Sequence, residues 1–303
     1  MRIVVSGGTG FIGRGLVAAL VARGDEVCVI TRDLARARRE VSAAVALEAW
    51  SAHEAWGKRV RSADGVVHLA GEGVADGRWT EERLARIRSS RVETTEAIAS
   101  VIAGAPKKPV WVSGSAVGFY GMRKDDAVLD EQAPAGTDVL AEICVAWEAA
   151  TEPAKRAGAR VAMPRTGIVL GKDGGALAKM LPAFKAFAGG PIGDGEQWLS
   201  WIHVEDAIRG LLFALDTPGF DGPFNMTAPK PVTMNQFARA LAHSLHRPCL
   251  VRVPGVALKI ALGDGLAETL LTGQRAVPAR LERAAFAFRF DQLESALDDL
   301  LAH

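Results

Sequence analysis

The sequence predicts an α/β fold, a doubly wound parallel sheet with a smaller C-terminal lobe. Three observations predict it. Short apolar, β-branched runs alternate with helical patterns over the first 170 residues, as in parallel sheets covered on both faces. A glycine-rich turn, SGGTGFIG at 6–13, joins the first run to the first helical pattern. After residue 170 the alternation gives way to glycine-rich loops and mixed elements.

Strands are expected at 2–6 (RIVVS), 26–31 (EVCVIT), 44–49 (AVALEA), 65–70 (GVVHLA), 109–114 (PVWVSG) and 160–166 (RVAMPRT). The Val/Ile runs at 3–5, 27–30 and 66–67 suit central strands buried on both sides. Helices are expected between them at 11–23, 33–40, 52–62, 80–104 and 138–157. Farther on, GKDGGAL (171–177) and GGPIGDGEQW (189–198) enclose an apolar segment at 176–188. Residues 200–215 read as a strand entering a helix, and 229–245 as a turn and a helix. Short apolar helices fill the tail from 250, which closes with a helix at 291–302. This divides the chain into domains at 1–170 and 171–303, with the sheet completed by segments at about 200–230.

Composition narrows the class. The 303 residues carry a formal net charge of +1, with acids and bases mixed. A nucleic-acid protein would present a basic face, so nucleic acid is not an expected partner. No apolar run reaches the roughly 20 residues that span a bilayer, and RIVVS follows Met1 with no signal-peptide pattern. The three cysteines, Cys28, Cys144 and Cys249, show neither metal spacing nor a disulfide framework. A cytoplasmic setting is expected, with a small-molecule partner, no membrane, no metal, and a monomeric or homodimeric state.

Gly7, Gly10 and Gly13 form G-x-x-G-x-x-G in a strand–turn–helix context. Gly7 permits the tight turn, Gly10 lets a pyrophosphate approach the backbone, and Gly13 lets helix pack on strand. The helix N-terminus, opening with Phe11 and Ile12, presents free N–H groups to phosphate. The first domain is therefore expected to bind a dinucleotide. At the end of the second strand stand Thr31 and Arg32, where an NAD-binding chain carries an acidic residue on the ribose. Arg32 suits a 2′-phosphate through its planar fork, so NADP (NADPH) is the expected cofactor. Asp33 suits a helix N-cap, and Arg36, Arg38 and Arg39 read as a solvated helix face. Leu69, Ala70 and Gly71, past the fourth strand, and Ile168 and Val169, past the sixth, should run beside the cofactor, since ligands bind at the carboxyl ends of such strands.

YGMRK at 120–124 spells Tyr-x-x-x-Lys, and Tyr120 is the single tyrosine. The dyad chemistry needs both side chains on one helix face. Here the segment follows a strand, contains Gly121 and runs into Asp125 and Asp126, so it reads as a loop. GGTGFIG (7–13), HLAG (68–71), SGSAVGFYG (113–121) and WIHVEDA (201–207) together resemble the extended short-chain dehydrogenase/reductases. RWTEERLARIRSSRVETT (78–95), RTGIVLGKDGGAL (165–177), GGPIGDGEQWLSWIH (189–203), LHRPCLVRVP (245–254) and GQRAVPARL (273–281) sharpen this. They resemble an atypical, NAD-dependent epimerase/dehydratase-like branch with its own small C-terminal domain at about 250–300.

The resemblance implies an epimerase-like oxidoreductase acting on a hydroxyl or carbonyl compound such as a nucleotide sugar. It places Ser115 at the family's serine, Leu140 where the tyrosine stands and Cys144 where the lysine stands. It places Arg91 at the position of the usual asparagine, and Ala285 where glycine is typical. Ser115 and its neighbour Ser113 could bind a substrate oxygen or cap a strand. Cys144 could be a thiolate or a buried apolar thiol. Tyr120 could donate a proton or pack. Arg91 could hold ribose or substrate, or sit in a salt bridge. His203 could be an acid or base, or mark a strand–helix junction. The alternative is a catalytically inactive NADPH-binding sensor or partner-binding protein. An enzyme predicts a pocket lined by Ser115, Tyr120 and loop 189–195, and a binding module predicts an exposed apolar patch.

Overall fold

The computed structural model describes residues 1–302. In chain order the first half comprises β1 (Arg2–Ser6), α1 (Phe11–Ala22), β2 (Glu26–Thr31), α2 (Leu34–Glu40), β3 (Ala46–Ala49), α3 (His53–Ser62), β4 (Gly65–His68), α4 (Glu81–Ala103) and β5 (Val110–Ser113). There follow β6 (Ser115–Ala116), a 3-10 turn at Val117–Tyr120, β7 (Val128–Leu129), α5 (Val139–Ala149), α6 (Glu152–Arg156), β8 (Val161–Thr166) and β9 (Ile168–Gly171). The remainder comprises α7 (Gly175–Lys185), β10 (Trp198–Leu199), β11 (Trp201–His203), α8 (Val204–Asp216), β12 (Gly222–Met226), β13 (Val232–Thr233) and α9 (Met234–Ser244). Last come α10 (Gly255–Leu262), α11 (Asp264–Leu271), β14 (Arg275–Ala276), α12 (Ala279–Arg283) and α13 (Leu293–Leu301).

The main sheet runs β12-β8-β5-β4-β1-β2-β3, and each of these pairings is parallel. This is the Rossmann-type doubly wound sheet, and its strand order reverses between β1 and β4, the crevice where such folds bind ligands. Both faces are covered. Val5, Val29, Val67 and Val112 pack with Leu16, Leu20 and Leu211 on one side. Val4, Val66 and Trp111 pack with Trp56, Ile98 and Ile102 on the other. A third cluster joins α7, α9 and α13 through Leu181, Phe184, Phe237, Leu241 and Leu297. It forms a separate core among the later elements.

Two buried carboxylates tie later segments to this frame. Asp206, fully buried in the first turn of α8, accepts from the backbone N–H groups of Arg289 and Phe290 at 2.9 and 2.8 Å. Glu131 accepts from the N–H groups of Asn225 and Arg280 at 3.0 and 3.1 Å. His203 is the N-cap of α8: its Nδ1 accepts from the Glu205 N–H at 3.0 Å and its ring stacks on Phe290 at 3.9 Å. Burial lowers its pKa, against the pull of Asp299. It belongs to the strand–helix junction.

Candidate functional site

A cavity of about 480 Å³ lies at the carboxyl ends of β1, β2 and β4. Its floor is the glycine turn. Gly7 takes φ +78, and a Cβ there would lie 2.7 Å from the backbone of Leu69 and Ala70. A Cβ on Gly13 would lie 2.1 Å from the Gly7 carbonyl oxygen. The Gly10 N–H donates to that oxygen at 2.9 Å. Gly10 is the N-cap of α1 and supplies no side-chain cap, so the first-turn N–H groups stay available to an anion.

Gly7, Gly10, Thr31, Arg32, Leu69, Ala70 and Gly71 line the cavity, whereas Phe11, Ile12, Gly13, Arg91, Ile168 and Val169 do not. The Phe11 ring instead fills the space above Gly171, Gly174 and Gly175, where a Cβ would meet it at 2.5 to 3.1 Å. This brings the turn after β9 onto the start of α1. Ile168 and Val169 pair with Trp201 and Ile202 of β11.

At the outer end, Arg32 is exposed just past β2. Asp33 caps α2, its Oδ1 accepting from the Arg36 N–H at 2.9 Å. Arg36 is exposed, as a solvated helix face requires, pairs with Glu40 at 2.8 Å, and also lines the cavity. Trp50 was missed. It follows β3, lines the cavity, and stacks on Trp56 with centroids 5.0 Å apart. The carboxyl-end rule applied to β3 would have found it.

Ser6, His68 and Ser113 form one row across three adjacent strands and all are buried. The Ser6 hydroxyl bonds His68 Nδ1, and His68 Nε2 meets Thr94 Oγ1 at 3.1 Å. Thr94 Oγ1 donates to the Ser90 carbonyl at 2.8 Å, so it accepts from His68 Nε2–H. Burial, and then the nearby Arg91 charge, push the His68 imidazole down to about 3. It is neutral, with its proton on Nε2. Ser113 Oγ has no partner among the described residues.

The Arg91 salt bridge is not what the structure shows. Its guanidinium donates to the carbonyls of Ile87 (3.0 Å) and Glu72 (2.9 Å) and lies over Trp147. Burial lowers its pKa. Glu72 opens a strap, residues 72–80, that reaches the C-terminal lobe. Arg78 donates to the Ala261 carbonyl at 3.2 Å, and Lys179 of α7 reaches Asp76 at 2.8 Å.

Two candidate catalytic residues, Tyr120 and Cys144, take their structural alternatives. Tyr120 is 1 % exposed, and its hydroxyl donates to Asn225 Oδ1 at 2.7 Å while accepting from Arg165 at 3.1 Å. It packs in the core, and Lys124 lies exposed beyond the turn, so YGMRK forms no dyad. Cys144 is a thiol, not a thiolate. Burial, reinforced by Glu148, raises its pKa to about 12. Loop 189–195 was expected to line a pocket with Ser115 and Tyr120. That loop is latched to the tail, with Gly193 N–H donating to the Val253 carbonyl at 2.9 Å.

Ser115 is buried, and its hydroxyl donates to Glu148 Oε1 at 2.7 Å. Arg165 grips both oxygens of that carboxylate at 2.8 and 2.9 Å. Glu148 lies one turn past Cys144 on α5, at a position that sequence reasoning passed over. Leu140 and Cys144 both face Gly118, with a Cβ there 3.8 Å from the Leu140 side chain and 3.7 Å from the Cys144 sulfur.

Fold and cavity together define an α/β protein of the nucleotide-binding, doubly wound class. The profile of the NAD dependent epimerase/dehydratase family matches residues 3–226, and the chain belongs to that family. A domain of unknown function, DUF1731, matches residues 253–300. The chain is 40% identical over 301 residues to the chloroplastic epimerase family protein SDR39U1 homolog of Arabidopsis thaliana, covering 98% of this chain and 86% of that one. It is 36% identical over 304 residues to epimerase family protein YfhF of Bacillus subtilis, covering 100% of this chain and 98% of that one. Its structure resembles that of human epimerase family protein SDR39U1 (isoform 2), solved with NADPH, at TM-score 0.87 and 31% identity with full coverage of both chains.

Proposed function

We propose that this chain is an NADP(H)-binding, epimerase-like oxidoreductase acting on a hydroxyl or carbonyl of a small molecule such as a nucleotide sugar. The observation that carries it is the cavity itself, with an uncapped helix N-terminus on a glycine floor and two arginines at its outer end. These residues fit a phosphorylated dinucleotide. Gly7, Gly10 and the α1 N-terminus, opened by Phe11 and Ile12 and seated by Gly13, would hold the pyrophosphate. Thr31 and Arg32, with Arg36, would hold the 2′-phosphate. Trp50 would cover the adenine, and Leu69, Ala70 and Gly71 would flank the ribose. Arg91 fixes the strap beside Gly71, and Ile168 and Val169, paired with β11 outside the cavity, would border the nicotinamide end. The human relative's NADPH supports the same choice of nucleotide. Residues 1–170 would hold the cofactor and residues 171–303 the substrate.

A bound nicotinamide would supply or accept the hydride. The chain's own part is to bind and orient the substrate oxygen. With Leu140 and Cys144 in the places of tyrosine and lysine, the conventional dyad is missing. Ser115 takes over part of that role. Its proton is committed to Glu148, so it offers lone pairs, and it would accept a hydrogen bond from a substrate hydroxyl rather than donate one to a carbonyl. The exposed apolar positions of the C-terminal lobe favour a second reading, a binding module that uses NADPH as a ligand.

Calorimetric titration with NADPH and NADH, on wild type and Arg32→Ala, tests the cofactor assignment. At least tenfold tighter NADPH binding, about 1.4 kcal/mol, lost in the variant, is the expected result. Equal affinities, or an unchanged preference in the variant, would remove Arg32 from the site.

A further inference from the structure

Apolar side chains of the C-terminal lobe stand in water where α7 and α9 end and along α10. Past the end of α7, Phe187 takes the left-handed conformation, φ 62, at a position where glycine is usual. It is 58% exposed, and its ring lies 4.6 Å beneath the Arg247 guanidinium. Arg247 follows His246, which is left-handed too, φ 54, past the end of α9. A bulky residue in this conformation costs on the order of 1 kcal/mol, and one left in water points to a use outside the core.

The segment after Phe187 is fastened to the tail. Val253 N–H donates to the Pro191 carbonyl at 3.0 Å, and the Gly190 backbone presses on that of Val251. Leu250 is 84% and Val251 44% exposed beside it. α10 follows directly, and none of its eight residues is buried. Val256 and Ile260, 69% and 72% exposed, stand four apart on one face of it. Cations border these positions. Lys185 is exposed at the end of α7. Arg247 covers Phe187, and Arg252 is held by the carbonyls of Gly193 and Asp194, so its charge is not cancelled by a carboxylate in these bonds.

We infer that this face, Phe187, Leu250 and Val251 with Val256 and Ile260 of α10, docks on an anionic phospholipid surface. Apolar side chains bordered by Lys and Arg combine the two attractions that hold a protein at a lipid interface. Among the described residues no helix is long and apolar enough to cross a membrane, so the contact is peripheral. The Arg78 bond to α10 places the strap at residues 72–80 beside the docked face. The inference does not depend on the proposed reaction.

The full chain with NADPH would be sedimented with vesicles of phosphatidylcholine alone, or containing about 30% phosphatidylserine. Binding to the anionic vesicles, weakened by salt, is expected. The double variant Leu250→Ser, Ile260→Ser should lower it at least about tenfold, and Arg247→Glu should abolish the preference for phosphatidylserine. NADPH titration of each variant shows whether its fold is retained. Absence of binding to either vesicle overturns the inference, as does wild-type binding by the double variant. A dimer seen by light scattering and dissolved by the double variant, with no vesicle binding, would assign the face to a second copy and also overturn it.

Discussion

Two glycines of one turn should fail in different ways when a single methyl group is added. At Gly13 the new Cβ would lie 2.1 Å from the Gly7 carbonyl oxygen, 2.9 Å from its carbon and 2.9 Å from the Gly8 Cα. All three are backbone atoms, so no side chain can swing away. The turn cannot retreat, because Gly7 already lies against the backbone of Leu69 and Ala70. α1 must lift, loosening Leu16, Val17 and Leu20, which it buries. Overpacking of this kind costs about 1–3 kcal/mol, and the absence of any soft neighbour argues for the upper end. At roughly 2 to 4 °C per kcal/mol, Gly13→Ala should melt roughly 4 to 12 °C lower. At Gly10, by contrast, the Cβ would meet just the Gly7 oxygen at 3.2 Å, and the φ of −76 suits alanine. Gly10→Ala should melt within about 1 °C of wild type yet bind NADPH at least tenfold more weakly, about 1.4 kcal/mol, because the methyl group occupies the path of the pyrophosphate. Calorimetric melting and NADPH titration of both variants separate the two roles. A Gly13→Ala protein as stable as wild type would refute the packing argument, and unimpaired NADPH binding by Gly10→Ala would refute the close-approach argument.

Other outcomes follow from the same geometry. His68 is held neutral down to about 3, against 6.5 for a free imidazole. Below 6.5 the unfolded chain binds a proton that the folded chain refuses, so stability should fall as pH drops, by about 1.4 kcal/mol per unit. Urea unfolding at pH 7 and 5 should show a shallower fall in His68→Asn, and an identical fall would assign the titration elsewhere. Burial raises Cys28 to about 11 and Cys144 to about 12, so at pH 8 a thiol reagent should modify the half-buried Cys249 first. Rapid labelling of all three in the native protein would contradict the burial. Ala285 sits past the end of α12 at φ 55, with the Phe286 N–H donating to the Leu281 carbonyl at 2.9 Å. Ala285→Gly should relieve about 1–2 kcal/mol of left-handed strain and give back about 0.4–1 kcal/mol through the unfolded chain. A melting temperature raised by up to roughly 6 °C is expected, and a lower one would show that strain is not the governing effect.

The lining of the cavity was legible because its determinants are local. A strand, a glycine turn and a helix follow one another within residues 2–22, and the carboxyl-end rule then names Thr31, Arg32 and Leu69 to Gly71 without any long-range contact. Local reading also identified Asp33 as a cap and YGMRK as a loop. It failed where a side chain's fate is settled by a distant partner. Tyr120 is fixed by Asn225, 105 positions away, and by Arg165. Loop 189–195 is claimed by the strand-like stretch at 251–253. Nothing near either position in sequence announces those partners. Trp50 was missed for a milder reason, since it follows β3 and its place at the cavity is set by how that strand packs on the sheet.

The cluster around Ser115 shows what such distant partners do to chemistry. A serine just past β5, where Ser115 opens β6, is ordinarily read as a hydrogen-bond donor to substrate. Here the neighbouring strand supplies Arg165, opposite Ser115 in the sheet, and the next helix supplies Glu148. Arg165 forks onto the carboxylate and keeps it an acceptor, and the carboxylate in turn takes the serine's proton. The direction of one hydroxyl is thus set by a residue 17 positions beyond the glutamate. Glu148→Gln tests this. The amide can present an N–H to Ser115, freeing the hydroxyl to donate, while its oxygen still accepts from Arg165. Replacing the charged acceptor should cost about 1.5–3 kcal/mol of stability with NADPH affinity unchanged. A variant as stable as wild type would show that Arg165 does not depend on the carboxylate, and the serine's fixed orientation would lose its cause.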